Sequence, residues 1–404
     1  MKKMLIILLL GILFIAASEQ HIQRESAIIR SGPGIFFEKI GTLEKGNKVQ
    51  VQDEKNGWLK IDFNEESYIT AKALQKPSKM GGVFQQMGTQ TTDLQASRHG
   101  LSAGIKGFAA KFTKSVGSFE QFQNRVSETK LNKKLYRKIK KRQKKARKSL
   151  NYVKGNLPLP ASGRDNFSRE EKYVGRAFAS SIAALGLYEN DEIEEFLNVF
   201  GNLIVEGTEF YDQRFYIYVL DTDKVNAYAC PGGIIFLTRG ILEATENEAE
   251  LAFVIAHELA HTIYQHGLQG MKERKNLIKA DNAFAEMEAE LDELGVEQDA
   301  EMKAVEEELE QELFNFYETV FSGRLEKYEF EADRMGLLYM QRSGYNGANA
   351  KNILVRLIYQ ERGSTNEHYT KQQLEDRLEN LKRQRIISVE DHEFTNWQKI
   401  KQSL

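Results

Sequence analysis

The chain has 404 residues, of which 41% are hydrophobic and 28% charged, with a single cysteine and a formal net charge of -2. That length exceeds a usual single domain and supplies ample apolar material, so two or more folded units are expected. One cysteine excludes an intramolecular disulfide framework, and the near-neutral balance hides strong segregation: 130–148 is intensely basic and 286–312 intensely acidic.

The chain begins Met1-Lys2-Lys3 and continues into a fourteen-residue apolar stretch, Met4 to Ala17, that ends in the small residues Ala16, Ala17 and Ser18. A charged start, a short apolar middle and a small-residue end form the pattern of a secretory signal over 1–18. An uncleaved anchor is the alternative, although fourteen residues are short for a bilayer span. No later stretch is apolar enough to cross a membrane, so the remainder is expected to lie outside the cytoplasm.

From 19 to 76, short alternating apolar runs are divided by the turn signals Ser31-Gly-Pro-Gly34, Glu44-Lys-Gly46 and Lys55-Asn-Gly57. Val49, Val51, Trp58, Leu59, Ile61 and Ile69 supply the period-two content of a small β-barrel. The stretch resembles a bacterial SH3-like domain, especially at Arg30-Ser-Gly-Pro-Gly34 and Asn56-Gly-Trp58-Leu-Lys-Ile61. The resemblance implies a module that binds cell-wall components or peptides; the alternative is a spacer in which Trp58 belongs to the core.

Residues 77–165 read as a linker carrying a basic helical segment. Twelve of the nineteen residues from Lys130 to Lys148 are Lys or Arg. A solvated helix, an anionic membrane surface and the acidic segment downstream are the candidate roles. No nucleic-acid partner is expected, because no nucleic-acid-binding fingerprint accompanies the charge.

Pro158 and Pro160 mark the boundary of a third region, 166–386. Ser168 and Glu171 read as a capping box opening a helix through Ala184. Phe215 to Leu220 and Gly233 to Thr238 are apolar runs of strand length. Thr245 and Glu248 then read as a second capping box, ahead of the apolar run Leu251 to Ile255, and Gly267 as the helix stop. Within that helix, His257-Glu258-Leu259-Ala260-His261 places two imidazoles one turn apart on one face, with Glu258 beside them. Two such histidines can hold one zinc ion, and the glutamate can serve as base in peptide hydrolysis. An ordinary amphipathic helix with two histidines has the same pattern, so a third ligand decides. His266 lies five residues past His261, too close for the extended three-histidine motif, and reads as a helix-end residue.

The third ligand is sought in Tyr328-Glu329-Phe330-Glu331-Ala332-Asp333, at the start of another helix. Glu329 and Asp333 share a face, while Glu331 points away from it. Glu329 is therefore assigned to the metal, and Asp333 to the orientation of a ligating histidine. Between the two motifs, about 280–320, two apolar stripes separated by Gly295 predict an acidic helical hairpin that would serve as scaffold or lid.

Three ordered segments, Asn226-Ala-Tyr-Ala-Cys-Pro-Gly-Gly-Ile-Ile-Phe-Leu-Thr-Arg-Gly-Ile-Leu242, the His257 to His261 pentapeptide and Glu329 to Asp333, resemble the HtpX-like and BepA-like zinc metallopeptidases, relatives of the type I CAAX prenyl protease. The resemblance implies one Zn2+ held by His257, His261 and Glu329, with Glu258 as catalytic base and Asp333 in support. It also implies that an extended substrate pairs with Gly233, Ile234, Ile235 and Phe236, and that a histidine and an arginine serve in transition-state binding or gating. The matching positions are His368 and Arg377, although Tyr369 stands where the family has proline.

The expected fold class is thus multidomain: a small all-β SH3-like barrel, then a mainly α (α+β) gluzincin-type metallopeptidase domain with a small sheet and a hairpin insertion, and a C-terminal tail over 387–404. The expected activity is zinc-dependent endopeptidase action on proteins or peptides in the periplasm or outside the cell. A chaperone-like client binder and a cell-wall hydrolase are the rivals.

Overall fold

A computed structural model describes residues 18–63, 66–76, 116–147, 166–167, 169–267, 326–360, 370–387 and 397–404. The apolar leader, the Pro158 and Pro160 boundary, Ser168, the acidic hairpin and His368 lie outside the described residues. The chain divides into two compact units, Met1–Ser78 and Lys79–Leu404.

The first unit is strand-rich. Strands β1 (Ser18–His21), β2 (Ser26–Arg30), β3 (Lys39–Glu44), β4 (Lys48–Lys55), β5 (Trp58–Ile61) and β6 (Ser67–Thr70) form one antiparallel sheet in the order β1-β4-β5-β6-β2-β3. The β4–β5 hairpin closes at the Lys55–Trp58 pair through Asn56 and Gly57, whose φ angles of 52° and 77° suit the tight turn that matches strand twist. Ile22, Ala27, Ile29, Val49, Leu59, Ile61, Ile69 and Ala73 form the core. Trp58 is buried as well, which favours its packing role over a displayed binding role.

The second unit is mostly helical around a small sheet. Its elements begin with α1 (Val116–Glu128), α2 (Lys133–Arg147), α3 (Arg169–Ala183) and α4 (Asp191–Val205). The sheet follows, with β7 (Tyr216–Leu220), β8 (Ala227–Cys230) and β9 (Ile234–Thr238), and then α5 (Arg239–Ala244) and α6 (Glu248–Ile263). Beyond the undescribed stretch come α7 (Glu326–Arg342), α8 (Asn349–Gln360), α9 (Lys371–Lys382) and α10 (Trp397–Lys401).

The sheet order is β7-β9-β8, with β7 parallel and β8 antiparallel to β9. This corrects one expectation. Ile234, Ile235 and Phe236 are paired on both sides, to Ile217, Tyr218 and Cys230, Ala229, Tyr228 among others, and the Gly233 carbonyl accepts from the Tyr216 amide. An extended substrate therefore finds no backbone edge on Gly233 to Phe236. The outer side of β7 is covered too. Asn198 and Asn202, one turn apart on α4, each donate to and accept from the backbone of the chain at Ile217 and Phe215, at 2.8–3.1 Å. Two amides thus imitate a neighbouring strand and satisfy the groups that an edge would leave open. The remaining edge strand of the described sheet is β8, which packs against α6.

The region expected to be a linker is partly built into this unit. Phe122 of α1 lies against the rings of Tyr218 and Phe236 at 5.4 and 6.0 Å. On α2, Tyr136 and Ile139 are buried, and Tyr136 Oη and Lys140 Nζ both reach the Glu206 carboxylate. The sequence over-read the charge and under-read these few apolar anchors. The expected tail is likewise anchored: Trp397 is fully buried, stacks on Phe196 at 5.7 Å and donates from Nε1 to Thr245 Oγ1 at 3.0 Å.

That bond explains a second correction. Thr245 ends α5 and holds Trp397, while the cap of α6 is Asn247, whose side chain accepts from the Glu250 amide. Glu250 in turn accepts from the Glu246 amide and from Arg356. The cap thus sits two residues along from the expected one, and Glu250 reaches back past it to the preceding amide instead of closing a reciprocal box. The helix also ends earlier than Gly267, at Ile263, because Gln265 adopts φ 57°.

Candidate metal centre

Helix α6 buries its whole circumference, which fixes the pentapeptide in the interior instead of at a surface. Helix α7 crosses it closely. A Cβ at Gly336 would stand 3.0 Å from the His257 backbone nitrogen, so glycine there permits the approach. Gly336 lies three residues after Asp333 and seven after Glu329, so all three occupy the face of α7 that meets α6.

At this crossing His257, His261 and Glu329 come together, each at least 94% buried. The two Nε2 atoms stand 2.9 Å apart, and the Glu329 carboxylate lies 3.3 Å from each, through Oε2 to His257 and Oε1 to His261. Donors about 2.0–2.1 Å from a tetrahedral zinc are separated from one another by about 3.3 Å. The two Nε2 atoms and the two carboxylate oxygens thus crowd one centre at separations of this order, the imidazole nitrogens somewhat closer than a tetrahedral edge. The donor set of two imidazoles and one carboxylate also suits zinc, and the residues fit the ion.

The surroundings orient these donors. His257 Nδ1 lies 2.9 Å from Asp333 Oδ1, which places the ring hydrogen there and leaves Nε2 bare toward the centre. Arg377, from α9, grips Asp333 through Nε at 2.9 Å and Nη2 at 2.7 Å, and reaches Glu329 Oε2 through Nη1 at 3.0 Å. The structure thus places Arg377 behind the candidate ligands as a fork that holds two buried carboxylates.

Charge follows from these contacts. Burial and the Arg377 charge act against a proton on His257, but the hydrogen bonds to Asp333 and Glu329 outweigh them and lift its pKa to about 9. Burial also opposes ionisation of Glu329, yet His261 and Arg377 hold it well below the usual carboxylate range. For Asp333, burial is again outweighed, first by Arg377 and then by the bond to His257. A metal would displace the His257 proton and take over the compensation of Glu329.

Glu258 follows His257 on α6 and is buried to 5% exposure, on the helix turn that carries the histidines. Sequence reasoning missed two further residues. His266, read as a helix-end residue, turns back to His261, with Nδ1 to Nδ1 at 2.9 Å, and Glu331 meets His266 Nε2 at 3.2 Å. The missed signal was the left-handed backbone at Gln265, which no periodicity reveals in a residue other than Gly or Asn.

Residues 194–385 match the model of peptidase family M48, and residues 25–75 that of the bacterial SH3 domain. The second unit is similar to peptidase family M48. Over 175 residues the chain is 30% identical to the beta-barrel assembly-enhancing protease of Yersinia pestis, covering 42% of this chain and 34% of that protein. The protein of the same name in Escherichia coli strain K12 is 24% identical over 200 residues, 48% of this chain and 39% of that one. The mitochondrial metalloendopeptidase OMA1 of Schizosaccharomyces pombe is 29% identical over 155 residues, 38% and 41% of the two chains. The chain thus spans little more than a third of the length of the first curated relatives it matches. The M48 match contains every residue of the candidate centre, from His257 to Arg377, and the SH3 match falls within the strand-rich first unit.

Proposed function

We propose that the second unit is a zinc-dependent endopeptidase, in which His257, His261 and Glu329 hold the ion, Glu258 is the base, and Asp333 and Arg377 support the ligands. The observation that carries this reading is the meeting of three buried donor groups, with the two Nε2 atoms 2.9 Å apart and the Glu329 carboxylate 3.3 Å from one through Oε2 and 3.3 Å from the other through Oε1. When bound, zinc would supply a Lewis acid and lower the pKa of a water toward neutrality. Glu258 accepts the proton of the attacking water and returns it to the leaving amide nitrogen. Asp333 holds His257 in the tautomer that directs Nε2 inward, and Arg377 keeps Asp333 and Glu329 ionised where burial would favour protonation.

The substrates are proteins or peptides. The relatives' names join proteolysis to β-barrel assembly, which supports a role in quality control of envelope or misfolded proteins. An extended segment would add to the edge strand β8, beside α6. The apolar leader supports a location in the periplasm or outside the cell, tethered if the leader stays attached. One face of α2 is anchored by Tyr136 and Ile139, while Lys133, Lys134, Arg137, Lys138, Lys141 and Lys144 are exposed, which favours contact with an anionic membrane surface.

The test is zinc analysis together with digestion of casein and of a misfolded protein by the wild type and Glu258→Gln. Stoichiometric zinc in both and hydrolysis in the wild type alone support the reading. Client binding without cleavage by the wild type would favour the chaperone-like rival, and release of wall fragments without peptide products the cell-wall hydrolase.

A further inference from the structure

The two histidines of the centre are braced differently. His257 Nδ1 meets a carboxylate directly, at Asp333. His261 Nδ1 meets another imidazole, that of His266, at 2.9 Å, and the far nitrogen of that ring meets the Glu331 carboxylate at 3.2 Å. His266 is 1% exposed and lies flat on the Tyr328 ring, with centroids 4.8 Å apart and planes 24° from parallel.

The placement of hydrogens along this row follows from its two ends. A His261 that turns the Nε2 lone pair toward a metal carries its hydrogen on Nδ1. It must therefore donate, and His266 Nδ1 must accept. A neutral His266 that accepts at Nδ1 holds its hydrogen on Nε2, where Glu331 accepts. Each ring has one tautomer that satisfies all contacts, and that tautomer leaves His261 Nε2 bare toward the centre.

The backbone is bent to allow this. Gln265 adopts φ 57°, uncommon outside glycine and asparagine, and its side-chain amide donates to the buried Glu171 at 2.6 Å. Without that left-handed residue, His266 would continue the helix and point away from His261, since five residues do not return to one helical face.

Resting on the zinc reading above, we propose that His266 is a positioning residue for His261, and that Glu331, His266 and His261 form a carboxylate–imidazole–imidazole relay toward the metal. Helix α7 then supplies three acidic groups with separate tasks. Glu329 is a ligand, Asp333 orients the first histidine directly, and Glu331 orients the second through His266.

The experiment measures zinc affinity of the full chain by competition with a chelator, and records nitrogen chemical shifts of the labelled histidines in the zinc-loaded protein. His266→Phe keeps the ring stack on Tyr328 but removes the acceptor, and should bind zinc about 10–100-fold more weakly. His266→Asn returns an acceptor near the Nδ1 position and should recover most of that loss, which a purely packing role would not produce. Glu331→Ala should weaken binding in the same direction by less, because this carboxylate is half-exposed and one step farther away. In the loaded wild type the hydrogen of His266 should sit on Nε2. A folded His266→Phe with wild-type zinc affinity, or a His266 hydrogen on Nδ1, overturns the relay. If His266→Phe does not fold, wild-type affinity in Glu331→Ala overturns it instead. A wild type that takes up no zinc overturns the metal reading itself, and the relay with it.

Discussion

Replacing Arg377 with methionine removes the guanidinium that, beside the protonated His257 ring, reaches both Asp333 and Glu329. Its guanidinium makes contacts of 2.7, 2.9 and 3.0 Å to the two carboxylates, and its side chain is 7% exposed. Methionine keeps much of the length but leaves buried acids short of compensation, a change that costs about 3–5 kcal/mol when one partner of a buried ion pair is lost. For a unit of this size each kcal/mol moves the melting temperature by about 2–4 °C, so the chelated variant should melt about 6–20 °C below the chelated wild type. Zinc partly replaces the missing charge at Glu329, so the deficit should shrink in the loaded protein. Arg377→Lys should fall between, since it keeps the charge but loses the two-pronged grip. Melting followed by Trp397 fluorescence in a Trp58→Phe background reports on the second unit, because the chain has two tryptophans and Trp397 is fully buried there. A shift below about 2 °C in the chelated protein, or equal deficits with and without zinc, would refute the charge argument.

Gly336→Ala places a methyl 3.0 Å from the His257 backbone nitrogen and 3.1 Å from its Cα, so α6 and α7 must separate. The expected cost is about 1–3 kcal/mol with weakened zinc binding, measured by denaturation and chelator competition; unchanged zinc affinity would show that the crossing tolerates the shift. On α2, replacing Lys134, Lys138, Lys141 and Lys144 by glutamine should weaken flotation with anionic liposomes at least tenfold at low salt, at about 1 kcal/mol per cation, and leave zinc content unchanged. Flotation of the substituted protein equal to wild type, or no flotation of either, would reduce α2 to a solvated helix.

Much of the fold was legible where one local rule dominates. The Asn56-Gly57 hairpin, the β7 and β9 runs and the helix of the pentapeptide each follow from a few residues with a strong short-range preference. The misreadings share one cause, which is that a tertiary partner reassigned a residue with an ordinary local role. Thr245 looked like a cap but holds Trp397, with Asn247 capping α6 in its place. The basic run looked like a linker because charge dominates its composition, yet Tyr136 and Ile139 suffice to seat it. Sheet order could not be read at all. A buried strand looks the same whether it lies in the centre or at the edge, and the two asparagines that cover β7 carry no pattern visible without the fold.

The centre itself shows where periodicity succeeds and where it stops. Helical spacing separates Glu329 and Asp333 from Glu331, because residues four apart share a face and residues two apart do not, and the contacts of Glu329 and Asp333 with His257 lie on that shared face. It could not show that the second face is also used. Asp333 reaches His257 because α7 crosses α6 at the Gly336 contact, so one helix-on-helix geometry serves both residues. Glu331 meets its partner only because the chain leaves the helix at Gln265 and brings His266 back beside His261. A regular helix would have left both His266 and Glu331 as surface residues, so the departure from regularity turns two unremarkable side chains into neighbours of the centre. Such departures are where sequence patterns lose their force and where a functional site has the most to gain from them.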